Sequence, residues 1–417
     1  MKTGYKNMRC ALIGRHLGHS FSKPIHNELA DYSYELCEIE PEEVGRFVKS
    51  SDFDAFNVTI PYKKDVIPFL DEVSDEARAI GAVNTVVRKK NGRIVGYNTD
   101  YFGFDYMVKS SGVSLAGKKA IVFGRGGAAA TVFAYLRDMG VRDLVSFGSK
   151  DNTPENLASH LDAEIIVNAS PVGMYPHNNA SPCVLSSFTH CEAVFDLIYN
   201  PARTALMLEA ERLGIIAVGG ISMLVAQAAK AFEHFTADKY EEGIIESIIS
   251  DITAKSENLI LIGMPGCGKS SVGQNVAKLL EKDFLDADDE FKKMHGISPA
   301  DAIRSLGEEQ FRLMETEVLD SLGRLSKKVI ATGGGAVTKD RNYPLLHQNG
   351  VIVFLERDLE KLATDGRPLS QGRDISKLYA DRIDAYTRFA DIRIASTEIK
   401  EKTAELIAKE FIDYFKG

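Results

Sequence analysis

The chain is short of cysteine, and what it has is poorly placed for bridging or metal binding. Cys10, Cys37, Cys183, Cys191 and Cys267 are the five cysteines among 417 residues, an odd number with no C-x-x-C pair. That pattern argues against a disulfide frame or a zinc site and points to reduced thiols in a cytoplasm. No apolar run comes near the roughly eighteen residues of a membrane span. No strongly basic block occurs and the net charge is -9, which argues against a nucleic-acid surface. Met1 to Arg9 lacks the apolar core of a secretion signal. Low-complexity tracts and short internal repeats are missing too. What is present is an ordinary globular composition, 44% hydrophobic and 26% charged. The length suggests about two or three domains. A cytoplasmic, multidomain α/β protein, monomer or homodimer, is expected.

The most informative stretch is Gly263-Met264-Pro265-Gly266-Cys267-Gly268-Lys269-Ser270, which fits the phosphate-cradling pattern G-x-x-x-x-G-K-S/T. Asn258 to Ile262 before it reads as a buried strand, and Val272, Val276, Leu279 and Leu280 after it recur at helical spacing. Glycines let backbone N–H groups turn inward toward an anion at a helix N-terminus. Lys269 would reach the β- and γ-phosphates, and the Ser270 hydroxyl would sit on Mg²⁺.

Upstream, strands and helices alternate. Strands are predicted at Arg9 to Gly14, Tyr34 to Ile39 and Ala55 to Ile60, with helices at Ser22 to Tyr32 and Pro41 to Lys49 and another opened by Pro61. Asn91-Gly92 between Val83 to Arg88 and Arg93 to Tyr97 is a hairpin signal. Such alternation builds a mostly parallel sheet. A second unit begins near residue 103. The strand Lys118 to Phe123 runs into Gly124-Arg125-Gly126-Gly127-Ala128-Ala129 and a helix, with further strands at Asp143 to Phe147, Ile165 to Asn168 and Ala193 to Ile198. This is a dinucleotide-binding layout, with the pyrophosphate at the helix N-terminus. Apolar helices follow at Met223 to Phe235 and Tyr240 to Ile252, and the polar stretch 253–258 reads as a linker.

Residues 8 to 250 resemble shikimate dehydrogenases, and residues 257 to 415 resemble shikimate kinases. The first resemblance rests on His19-Ser20-Phe21-Ser22, Asn57 to Lys63, Gly81 to Thr85, Asn98-Thr99-Asp100, Asn168 to Met174, Asp196 to Pro201 and Met223 to Gln227. The second rests on the phosphate loop, Asp286-Ala287-Asp288, Gly307 to Arg312, Gly333-Gly334-Gly335, Arg367-Pro368-Leu369 and Arg382-x-x-x-Tyr386. The architecture so implied is an α/β substrate domain (8–102, with part of 223–250 packing back on it), a Rossmann-like NADP domain (103–222), the linker, and a P-loop kinase domain with a parallel sheet (257–417).

The resemblance also implies residue roles. In the dehydrogenase part, Lys63 and Asp100 would form the proton-transfer pair, and Ser20, Ser22, Thr59, Asn84, Tyr199 and Gln227 would bind the triol carboxylate. Gly124, Gly126, Gly127, Ala128, Ser149, Lys150 and Met223 would hold NADP(H). In the kinase part, Gly263, Gly266, Gly268, Lys269, Ser270, Ser271 and the lid residue Arg367 would hold ATP, with Ser270 and Asp286 on Mg²⁺. Asp288 would engage the shikimate hydroxyl, Arg312 and Arg382 would clamp its carboxylate, and Gly333, Gly334 and Gly335 would let backbone approach the ring. Arg373 is a candidate second lid arginine.

Two positions depart from the pattern. Lys23 stands where the dehydrogenases usually carry proline, with Pro24 one later. The second nucleotide strand ends Phe147-Gly148-Ser149-Lys150, without the usual arginine for the 2′-phosphate, and Asp151 follows. Lys150, Ser149 and Arg125 are the available substitutes. The leading expectation is a bifunctional enzyme of aromatic amino-acid biosynthesis, reducing 3-dehydroshikimate with NADPH and phosphorylating shikimate with Mg·ATP. A quinate/shikimate dehydrogenase using NAD, fused to a kinase, and a regulatory protein that only senses shikimate are the alternatives.

Overall fold

The computed structural model describes residues 2–18, 20–362 and 375–416. The chain divides into two compact units, Met1–Asn200 with Thr204–Ile252, and Pro201–Arg203 with Thr253–Gly417.

The first unit holds two sheets. One contains β1 (Arg9–Gly14), β2 (Ser33–Glu38), β3 (Ala55–Val58), β4 (Glu72–Val73), β5 (Thr85–Arg88) and β6 (Ile94–Tyr97), in the order β2-β1-β3-β5-β6-β4. Its β1, β2 and β3 run parallel, while β5 pairs antiparallel with both β3 and β6, so the sheet is mixed where the alternation predicted a mostly parallel one. The hairpin marked by Asn91-Gly92 supplies the β5–β6 reversal. A second difference lies at Pro61. No helix opens there; residues 61–66 are turn, followed by a short 3₁₀ segment Ile67–Phe69. Tertiary bonds win over the local signal, for the Lys63 carbonyl accepts the Val83 N–H at 2.8 Å and Tyr62 is wholly buried.

The second sheet is all parallel: β7 (Lys119–Phe123), β8 (Asp143–Phe147), β9 (Ile165–Asn168), β10 (Ala193–Asp196) and β11 (Ile216–Gly219), ordered β11-β10-β9-β7-β8. The order reverses between β7 and β9. In doubly wound sheets, ligands bind outside the carboxyl ends of the strands at such a switch point. Every residue of β7, β9 and β10 is buried, as expected for strands covered on both faces. The helices Asp100–Ser111 and Ile221–Thr236 lie close together because Gly103 has no side chain: a Cβ there would stand 2.6 Å from the Met223 carbonyl oxygen and 3.0 Å from Gln227 Cβ.

The second unit is a parallel sheet of β12 (Asn258–Ile262), β13 (Asp283–Asp286), β14 (Lys328–Ala331), β15 (Gly350–Glu356) and β16 (Ile392–Ala395), ordered β13-β14-β12-β15-β16. The central strand β12 is buried throughout and delivers the glycine-rich loop at its carboxyl end. Thr253 to Ser256 complete the helix Ile244–Ser256, Glu257 is buried, and Asn258 already pairs in β12. Asn258 is polar yet fully buried because its side chain bonds the Leu325 carbonyl at 2.7 Å and the Lys328 N–H at 2.9 Å. Among the described residues, no helix is long and apolar enough to cross a membrane.

Candidate active sites

In the first unit, Lys63 comes from the turn after β3 and Asp100 from the first turn of the helix Asp100–Ser111. Lys63 Nζ donates to Asp100 Oδ2 at 2.7 Å, and the two side chains are only 14% and 7% exposed. Asn84, buried just ahead of β5, completes the arrangement. Its Nδ2 donates to Asp100 Oδ1 at 2.9 Å and to Thr99 Oγ1 at 3.0 Å, while its Oδ1 accepts the Thr99 N–H at 2.7 Å. Gln227 Oε1 accepts from Asn84 Nδ2 at 3.4 Å and from Thr99 Oγ1 at 3.2 Å, a meeting that the close approach at Gly103 permits. Behind Asn84, Asn57 donates to Thr85 Oγ1 and to the Asn84 carbonyl, and Tyr34 donates to Asn57. A buried ammonium–carboxylate pair depends on further hydrogen bonds to its members, and Asn84 supplies one to the second oxygen of Asp100.

The other expected substrate-binding residues carry shorter polar groups. The Ser22 N–H donates to Ser20 Oγ at 3.2 Å, and Ser22 is the first residue of its helix, with Phe21 in the cap position. Lys23 and Pro24 occupy that first turn without disturbing it. Thr59 lies against Gly14, whose Cβ would stand 2.6 Å from the threonine methyl. Tyr199 follows β10, its ring 5.5 Å from that of Phe21 beside the serines, and burial raises its hydroxyl pKa. Asp196 fixes that turn: fully buried, pushed up to about 6 by desolvation, it accepts from Asn168, the Ile198 N–H and Thr204. The sequence marked Asp196 as part of a motif but gave it no task.

The glycine turn after β7 reaches the same place. A Cβ on Gly127 would meet Lys63 Cδ at 3.4 Å, so the start of the helix Gly127–Asp138 lies against the lysine stem. Gly124, with φ +123°, lies so close to Ala169 that a Cβ would be 2.6 Å from its carbonyl oxygen. Gly126 and Ala128 line the same turn. Met223 is buried against Gly103. Ser149 and Lys150 are exposed beyond β8.

In the second unit, Lys269 starts the helix Lys269–Leu279 and its Nζ donates back to the Gly263 and Met264 carbonyls at 2.8 and 3.1 Å. Gly263, Gly266 and Gly268 all have positive φ, the conformation that curls this loop. Ser271 Oγ is turned to the Gly268 carbonyl. Ser270 Oγ donates to Asp286 Oδ2 at 2.6 Å, and Asp286 caps the helix Ala287–His295 through the Asp288 N–H at 3.0 Å. Asp288 opens to solvent from a crowded recess. Loss of hydration there, with Asp286 and Glu315 nearby, pushes its carboxyl up to about 6.

Arg312 is buried, held by Glu315 at 2.7 Å and Glu308 at 3.3 Å. Burial raises Glu315, against the opposing pull of Arg312. The Gly333–Gly335 turn threads between these groups. A Cβ on Gly335 would strike the Arg312 guanidinium at 2.1 Å, one on Gly334 would strike Pro265 of the loop, and one on Gly333 would stand 2.8 Å from Glu315 Oε1. Arg382 Nη1 donates to the Gly334 carbonyl at 3.0 Å, and the Tyr386 hydroxyl donates to the same oxygen. The expected phosphate, acid and arginine groups therefore converge around one glycine turn. Two participants escaped the sequence. Glu315 lies at helical spacing i+3 from Arg312, a signal that was available. Arg357, just after β15, puts its Nη1 3.6 Å from where a Gly268 Cβ would be, and nothing local announces it. Arg367, Arg373 and His19 lie outside the described residues.

Comparisons with known proteins match both units of the chain. Residues 12–86 match the family model of the shikimate dehydrogenase substrate binding domain, and residues 265–415 match that of shikimate kinase. The shikimate dehydrogenase (NADP(+)) of Clostridium beijerinckii is 36% identical over 259 residues, 57% of this chain and 96% of that protein. A crystal structure of shikimate dehydrogenase 1 from Peptoclostridium difficile shares 35% identity at a TM-score of 0.54, covering 59% of this chain and 97% of that one. The Thermus thermophilus shikimate 5-dehydrogenase, solved in complex with NADP(H) and shikimate, shares 31% identity at a TM-score of 0.51, covering 58% of this chain and 99% of that one.

Proposed function

The chain belongs to the shikimate dehydrogenase family through its first unit and carries a shikimate kinase domain in its second, and from that premise we propose that it performs two consecutive reactions. The first unit reduces 3-dehydroshikimate to shikimate with NADPH. The second phosphorylates the shikimate 3-hydroxyl with Mg·ATP. The product of one is the substrate of the other, which gives the fusion a chemical sense.

NADPH supplies the hydride of the first reaction, and the protein supplies the rest. Lys63 gives a proton to the oxygen of the carbonyl as negative charge develops on it, and Asp100 holds the ammonium in place. Asn84 fixes Asp100 from the other side. Gln227, Thr59, Ser20, Ser22 and Tyr199 hold the ring hydroxyls and carboxylate. Gly124, Gly126, Gly127 and Ala128 present N–H groups to the pyrophosphate, and the contact of Gly127 with the Lys63 stem puts the cofactor beside the proton donor. Ser149, Lys150 and Met223 complete the NADP(H) contacts.

In the second unit, Asp288 takes the proton of the attacking hydroxyl, while Arg312 and Arg382 clamp the carboxylate. Gly263, Gly266, Gly268, Ser271 and Lys269 cradle the phosphates, and Arg367 is a further ATP-binding residue. Ser270 and Asp286 are the groups that would hold Mg²⁺, which neutralises phosphate charge. This ion binds through one or two carboxylates with water and phosphate oxygens, and a hydroxyl–carboxylate pair 2.6 Å apart suits that need.

The observation that carries the reading is the 2.7 Å Lys63–Asp100 pair closed by Asn84. Two separate assays test it. The full chain should oxidise NADPH with 3-dehydroshikimate and release ADP with shikimate and Mg·ATP. Failure of either reaction removes that half of the proposal.

A further inference from the structure

Beyond β8, where a doubly wound nucleotide domain meets the adenosine ribose, two side chains of opposite charge converge. Arg125, from the glycine turn after β7, donates through Nη2 to Asp151 Oδ2. The other oxygen, Asp151 Oδ1, accepts the Gly148 N–H at 2.7 Å. A Cβ on Gly148 would lie 3.2 Å from Arg125 Cδ and 3.3 Å from Asp151 Oδ1, so the absence of a side chain at that residue lets the two meet. The loop is otherwise fixed. The Asn152 N–H donates to the Gly148 carbonyl at 3.0 Å, and Asn156 Nδ2 donates to the Asp151 carbonyl at 2.8 Å. By contrast Ser149 and Lys150 are exposed and make no hydrogen bond or ion pair among the described residues.

At this place an acidic side chain favours the bare ribose 2′-hydroxyl of NADH, and an arginine favours the 2′-phosphate of NADPH. This chain has one of each, bonded together. We propose that the Arg125–Asp151 pair is the element that chooses between the two cofactors, each residue serving one of them. With NADPH, the guanidinium turns its donors to the 2′-phosphate, where a planar fork fits phosphate oxygens, and Asp151 keeps its bond to Gly148. With NADH, Asp151 Oδ2 accepts the 2′-hydroxyl. Asp151 also sets a limit on NADPH preference, because a carboxylate beside a phosphate dianion repels it. This inference rests on the dinucleotide reading of the first unit.

The test measures kcat/KM for NADPH and for NADH with 3-dehydroshikimate, and the affinity of each cofactor alone from its fluorescence, on the full chain. Three proteins are compared: the unaltered chain, Arg125→Ala and Asp151→Asn, the last keeping an acceptor for Gly148. Loss of one charge-assisted bond should lower the NADPH-to-NADH ratio about tenfold in Arg125→Ala. Asp151→Asn should raise it severalfold, and the fluorescence affinities should shift the same way. Opposite shifts are required, since a merely structural role would move both cofactors together. Ratios that move in one direction, or change less than about twofold, overturn the proposal. If cofactors bind with these opposite shifts but 3-dehydroshikimate is not reduced, the pair stands and the reaction assigned to the first unit falls.

Discussion

In the first unit the site's charges are opposite and touch: Lys63 and Asp100 form one buried pair, and Asn84 takes the spare carboxylate oxygen. In the second unit the acids stand close to one another and the cations are engaged elsewhere. Asp288 feels Asp286 and Glu315, Lys269 is turned onto its own loop, and Arg312 is held by Glu308 and Glu315. The contrast follows from what each site receives. The carbonyl oxygen that the Lys63 ammonium serves carries no charge before hydride arrives, so a proton donor and its partner can be assembled beforehand. A divalent cation and a polyphosphate bring large charges of both signs, and a site holding surplus carboxylates and parked cations is completed by its ligands. In the first case the protein's own bonds organise the site; in the second, binding must replace bonds within the protein.

The sharpest way to break the comparison is to remove the preassembled donor. Lys63→Ala should lower dehydrogenase turnover about 10²- to 10⁴-fold, the usual worth of positioned acid–base help. The kinase rate of the same preparation should be unaltered, which monitors folding of the second unit. A fall under fivefold in dehydrogenase turnover would mean that Lys63 is not the proton donor.

Next comes the parked arginine. Arg312 and Glu315 are 4% and 7% exposed, and without Glu315 the buried guanidinium keeps only the more exposed Glu308 of its two carboxylates. Glu315→Ala should destabilise the second unit by about 3–5 kcal/mol and raise the KM for shikimate, because Arg312 loses its aim. Denaturant unfolding and kinase kinetics measure the two effects, and an unchanged KM would show that Arg312 is held without Glu315.

Kinase activity should also respond to pH. A carboxyl pushed up to about 6 must lose its proton to act as a base, so kinase kcat should drop about tenfold per unit of pH below that value. The stability effect has the opposite sense. Asp288 binds its proton more tightly folded than unfolded, where its value is 3.8, so this contribution to stability is present at low pH and lost as pH rises through about 6. Asp288→Asn should therefore raise the melting temperature of the ligand-free second unit at pH 7 while abolishing turnover. A flat kcat profile from pH 5 to 7, or a lower melting temperature, would contradict the surplus-charge account.

The smallest effect expected is at Gly127. A methyl there meets Lys63 at ordinary contact distances of 3.4 and 3.5 Å, so Gly127→Ala should change NADPH turnover by less than about threefold, as for a tolerated surface contact. Gly335→Ala, whose methyl would displace the Arg312 guanidinium, should raise the shikimate KM well beyond that. Equal effects at the two glycines would erase the distinction between them.

What the sequence made legible follows from how locally each feature is encoded. The buried parallel strands show as apolar runs, and the phosphate loop shows as glycines between such a run and a helical repeat. Pro61 misled because a proline that suits a first helical turn also suits a turn, and the deciding bond comes from Val83. At Asn258 polarity does not mean exposure, because its partners lie 67 and 70 residues away. The Lys63–Asp100 pair was identified through family motifs, while its spacing of 37 residues carries no local signal. The Arg125–Asp151 bond joins the ends of two strands and was invisible for the same reason.

The central claim is that one chain carries two self-sufficient sites acting in sequence. Mixing two full-length single variants tests it most directly. Lys63→Ala lacks only the first activity and Lys269→Ala only the second. Each alone should fail to make shikimate 3-phosphate from 3-dehydroshikimate, NADPH and Mg·ATP. The equimolar mixture should make it after a lag in which free shikimate accumulates. A mixture that stays inactive, while each variant retains its one remaining reaction, would contradict the account.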